Sequence, residues 1–162
     1  AGAGGADAMS FATLGFGALL VAASCFDVLK LRIPNLIPLG LVALFALDLL
    51  LGASPPAPLG HALAMLLALA ILLPLFALDM LGGGDVKLLA GVALWLGMAK
   101  LAPLLILVGI VGGLFALVWL ALRWLIRAGL PGRKLPPSLQ ARAPLPFALP
   151  IMAVALLLVG NG

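Results

Sequence analysis

Apolar runs close to or above the roughly 20 residues needed to cross a ~30 Å hydrocarbon core recur along this whole chain, confining it to a bundle of membrane helices. Of its 162 residues, 65% are hydrophobic and only 9% charged, and Glu and Tyr are absent. A globular domain carries about a quarter charged residues. The expectation is a single all-α, polytopic, membrane-embedded domain over residues 1–162, with no separate soluble domain.

The formal charge of +4 could suggest an acidic partner, but Lys and Arg in a polytopic protein first report topology, so no nucleic-acid partner is expected. Cys25 is the single cysteine, which rules out an intramolecular disulfide and Cys-rich zinc motifs. The first ten residues carry no Lys or Arg and lack the basic region of a cleavable signal peptide. The first apolar segment is therefore expected to be retained.

Six helical segments follow, at about 10–28, 36–53, 59–79, 86–98, 102–125 and 145–160, the fourth short for a full span. Ile33-Pro34-Asn35 reads as a turn with Asn35 as N-cap, Ser54-Pro55-Pro56-Ala57-Pro58 cannot continue a helix, and Gly82 to Gly84 make a third break. With six crossings and an outer N-terminus, the inner side collects Lys30, Arg32, Lys87, Arg123, Arg127, Arg133, Lys134 and Arg142 against Lys100 outside. That imbalance orients the chain with the basic segment 123–142 in the cytoplasm, on anionic headgroups of the lipid bilayer.

Charges in or beside membrane helices are costly and call for a role. Asp7 is expected to be solvated and Asp48 to sit near the outer end of the second helix. Asp27 ends the first helix at the inner face, and Asp85 follows the return of the third to that same face, so the two can meet. Asp79 competes with Asp85 from six residues earlier, with a helix-end charge as its alternative role. The glycines before Asp85 permit unusual dihedrals and let a peptide chain approach without a Cβ in the way.

Two carboxylates a few Å apart cannot both ionise cheaply, so they hold one proton between them. The ionised member can activate water while the protonated member polarises a carbonyl, with no metal or other cofactor needed. Competing chemistries fail on placement or content. His61, assigned to the outer end of the third helix, lies a membrane away from Ser24 and Cys25, and one His without Glu cannot build a His-Glu-x-x-His zinc site. Arg32 and Lys87 flank the acids and can favour the charged carboxylate or anchor the inner face, while Gly109-Ile110-Val111-Gly112-Gly113 offers a Gly-x-x-x-Gly spacing for close helix packing.

Asp27 followed by Arg32-Ile33-Pro34-Asn35, the block Gly82-Gly83-Gly84-Asp85-Val86-Lys87-Leu88 and Pro146-Phe147-Ala148-Leu149-Pro150 together make the chain resemble the type IV prepilin peptidases, especially the short members serving tight-adherence (Flp) pili. The resemblance implies an aspartyl endopeptidase of the cell inner membrane with Asp27 and Asp85 as the catalytic pair. Gly82, Gly83, Gly84, Lys87, Arg32 and Asn35 would serve substrate access or positioning. The implied substrate is a prepilin or pseudopilin with a short basic leader, cut at the cytoplasmic face after a glycine, and the pilus assembly machinery is a potential partner. Longer relatives also N-methylate the product through a region with paired cysteines, which is not expected with Cys25 alone. Gly-x-Gly-Asp is shared with archaeal preflagellin peptidases, which keeps a preflagellin substrate open. Two rival readings are a small transporter or channel component whose acids bind a proton or cation, and an inactive scaffold of the pilus machine.

Overall fold

In a computed structural model, which describes residues 11–30, 32–51, 57–129 and 147–160, the chain forms six helices. They are α1 (Phe11–Lys30), α2 (Leu36–Leu50), α3 (Pro58–Ala77), α4 (Gly83–Leu96), α5 (Met98–Gly129) and α6 (Ala148–Gly160). Three of them, α1, α3 and α5, are long and apolar enough to cross a membrane, whereas α2 and α6 are shorter apolar helices of 15 and 13 residues. The expected breaks at Ser54 to Pro56 and in the basic segment beyond 129 lie outside the described residues, as does Asp7.

Local chemistry sets the ends. Pro58 starts α3, and Pro38 and Pro150 each occupy the third position of their helices, where a missing N–H breaks no intrahelical bond. Asn35 stands at the N-cap of α2, as the sequence suggests, although its side chain makes no capping bond. A Schellman turn closes α3, with the Met80 N–H on the Leu75 carbonyl and the Asp79 N–H on the Phe76 carbonyl. This puts Asp79 at φ 57°, the left-handed position that glycine usually takes. Another correction concerns α4, which starts at Gly83 rather than after Asp85, so that Gly83 and Gly84 are helical and the break runs through 78–82. The next break is a single residue, Gly97 at φ 72°, after which α5 begins at once and runs for 32 residues.

The helices alternate in direction. At one end the start of α4 meets the α1–α2 turn and the end of α3; at the other, His61 of α3 reaches the Leu94 carbonyl of α4, and Lys100 of α5 reaches the Leu158 carbonyl of α6. α4 occupies the middle, packing against α2, α3, α5 and α6, and ten of its 14 residues are buried. At 1.5 Å per residue it is about 21 Å long, short of the ~30 Å hydrocarbon core. Its surroundings explain this: a helix wrapped in protein need not match the lipid thickness. Ala64, Ala68 and Leu72, one turn apart on α3, let that helix approach α4 closely. Outward positions such as Leu14, Leu66, Ile106 and Leu117 are exposed, as a lipid-facing surface requires.

Candidate active site

The inward stripe of α1 is Phe16, Leu20, Ala23, Ser24 and Asp27, a 3.6-residue repeat that carries an acid into the bundle on a face otherwise nearly all apolar. Asp27 is only 6% exposed. Its Oδ2 accepts the backbone N–H of Ala148 at 2.9 Å. Ala148 is the first residue of α6, so Asp27 fills one of the open donor positions that every helix start leaves, here from another helix. As the first residue of its helix, Ala148 has an N–H with no intrahelical acceptor, and Pro150 at the third position suits such a helix start.

Asp85 is held in the same manner. It lies in the first turn of α4, is 7% exposed, and turns back so that its carboxylate accepts the N–H of Gly82, the N-cap residue. This is the returning half of a capping box. A Cβ on Gly82 would stand 2.8 Å from Asp85 Oδ2, so the carboxylate occupies the space that glycine leaves. Gly82 itself has ordinary extended dihedrals, φ −71° and ψ 142°, and neither Gly83 nor Gly84 has a positive φ. The expected need for unusual dihedrals is therefore replaced by a need for room. Gly83 faces the Phe76 ring and Gly84 lies against Ile33, where an added Cβ would come within 3.2 and 3.1 Å.

These contacts join the separated motifs. Gly84 on Ile33 brings the glycine block onto the Arg32-to-Asn35 turn, and Lys87 Nζ donates to Asn35 Oδ1 at 3.0 Å. Lys87 thus bridges the two segments through a neutral amide rather than a carboxylate, while Arg32 is exposed on the turn. The charge of Asp27 acts on Asp85, so the two buried acids lie within electrostatic reach of each other. Asp85 Oδ1 is buried with no hydrogen-bond partner among the described residues. Asp79 is exposed, and its backbone role in the α3 cap accounts for its place.

An apolar cavity of about 360 Å³ is lined by residues including Leu75, Leu81, Leu89, Gly109, Gly113 and Phe147, and by neither acid. Leu89 is one turn beyond Asp85, and Phe147 immediately precedes Ala148. Gly109 and Gly113 have nothing within 4 Å of where a Cβ would stand, so this Gly-x-x-x-Gly pair hollows the cavity instead of packing two helices of the bundle. Gly112 makes the close contact, with a Cβ there 2.9 Å from the Phe147 ring.

His61 is remote from both acids. Its Nδ1 pairs with the Leu94 carbonyl at 2.8 Å, and its ring stacks on Phe45 and lies against Gly97 at the opposite end of α4.

Residues 14–117 match the model of the type IV leader peptidase family. This span covers most of α1, all of α2 to α4 and most of α5, and contains both acids. No curated protein and no solved structure matches the chain.

Proposed function

The chain belongs to the type IV leader peptidase family, and from that premise we propose that it is an intramembrane aspartyl endopeptidase in which Asp27 and Asp85 are the catalytic pair. One observation carries this reading. Two buried carboxylates from different helices sit within reach of each other at one end of an apolar bundle, each anchored by a backbone N–H at a helix start. A structural ion pair would need a cation between them; the nearby Lys87 instead bonds Asn35.

In the proposed mechanism the pair shares one proton. The ionised carboxylate removes a proton from a water molecule as its oxygen attacks the scissile carbonyl carbon. The protonated carboxylic acid donates its hydrogen bond to the carbonyl oxygen, which becomes the oxyanion. Collapse of the tetrahedral intermediate expels the amine, which takes the proton the base had accepted. The N–H groups of Ala148 and Gly82 fix one side of each carboxylate, so that little reorientation is needed as charge moves. The apolar cavity beside Leu89 accepts the apolar part of the substrate.

The substrate is a type IV prepilin, in our reading of the Flp kind or a pseudopilin, with a basic leader cut after glycine. The positive-inside count puts the acid pair at the cytoplasmic face of the inner membrane. Co-expression with a cognate prepilin, followed by mass spectrometry of the pilin, tests this directly. A new N-terminus just after a leader glycine supports it; an uncut prepilin together with proton or cation flux in proteoliposomes would support a transporter instead.

A further inference from the structure

Among the described residues the buried polar or charged side chains are three: Ser24, Asp27 and Asp85. Two form the proposed catalytic pair, and the mechanism above leaves Ser24 without a task. A buried hydroxyl in a membrane helix commonly bonds back to its own backbone, and Ser24 Oγ does lie 3.0 Å from the Leu20 carbonyl. It also lies 3.2 Å from the carbonyl of Ala148 and 3.4 Å from Met152 Sδ, both on α6. Ala148 is the residue whose N–H is bound to Asp27. Two α1 side chains three positions apart therefore face both polar groups of a single α6 residue: Asp27 accepts its N–H, and the Ser24 hydroxyl, whose one proton is shared with the Leu20 carbonyl, lies within donating distance of its carbonyl.

We propose that Ser24 is a positioning residue for catalysis, setting the height and rotation of the α6 start so that Ala148 presents its N–H to Asp27. The inference rests on the reading of Asp27 as a catalytic acid. A helix back-bond alone would satisfy the hydroxyl within α1 and would tie nothing to α6. The link to Ala148 makes the orientation of the Asp27 carboxylate depend on a side chain that touches neither substrate nor the reacting atoms. Without that link α6 can slide along α1, and the carboxylate loses its fixed side. A shift of this kind lowers turnover without weakening the capture of substrate.

Steady-state cleavage of a cognate prepilin by purified Ser24→Ala, Ser24→Thr, Asp27→Asn and Asp85→Asn, with thermal melting of each, tests this. Ser24→Ala is expected to lose between about 10- and 100-fold in kcat with KM within about twofold and an altered pH profile of kcat, while Ser24→Thr, which keeps the hydroxyl, recovers most of the activity. Wild-type kcat and pH profile in Ser24→Ala overturn the inference, as does a loss that Ser24→Thr does not rescue. Should Ser24→Ala fail to fold, Ser24→Thr decides: wild-type turnover supports the inference, and a folded but slow enzyme overturns it. If Asp27→Asn or Asp85→Asn cleaves fully, the catalytic pair falls, and the role of Ser24 with it. If both are inactive and Ser24→Ala is not impaired, only Ser24 falls.

Discussion

Gly82 sits where a side chain would collide with the carboxylate it helps to hold. Because a Cβ would stand 2.8 Å from Asp85 Oδ2, Gly82→Ala should push that carboxylate off its N–H. Cleavage should fall by roughly 100-fold, as displacements of about 1 Å can cost, while the melting temperature changes little because Gly82 is exposed. Rates and melting curves of the purified variant check both parts. At this scale the acids and glycines were legible in the sequence, since an Asp in an apolar chain demands a reason. What the glycines do was not. Spacing shows that a Cβ is absent but not what fills the space, and here it is the next acid's own oxygen. The hold of Ala148 on Asp27 was also hidden, because it joins residues 121 positions apart through a backbone N–H that leaves no mark of residue type.

Among the helices, α4 makes the site possible by lying inside the others. Its contact with α3 depends on small residues, so Ala68→Leu, at a position with no exposed surface, should cost about 1–3 kcal/mol through overpacking. Thermal unfolding in detergent measures it. On α5 the three glycines should separate. Gly109→Ala and Gly113→Ala, facing open space, are expected to leave stability within about 0.5 kcal/mol. Gly112→Ala presses on Phe147, the residue before Ala148, and should lower the melting temperature further than either of the others. Six helices were legible because apolar runs of this length have few alternatives. The start of α4 was not, because glycine favours both breaks and caps, and only the return of Asp85 to Gly82 shows that the helix already includes Gly83 and Gly84.

For the whole molecule, alternating helices gather the acids, the Arg32-to-Asn35 turn and the start of α6 at one end, with His61 and Lys100 at the other. In our reading of the charge count, the acid end faces the cytoplasm. In a Cys25→Ser background, Leu59→Cys should therefore react with an impermeant maleimide in intact cells, and Arg32→Cys only after permeabilisation; both positions are exposed. The opposite pattern would invert the orientation. That Asp27 and Asp85 come to one end of the bundle follows from topology, which the apolar runs reveal, whereas how they are anchored follows from packing, which the runs do not. The central claim is that Asp27 and Asp85 act as a pair, and the most direct measurement is prepilin cleavage by Asp27→Asn and Asp85→Asn, each confirmed as inserted and folded. Neither variant should yield detectable mature pilin. Cleavage at the wild-type rate by either one contradicts the account.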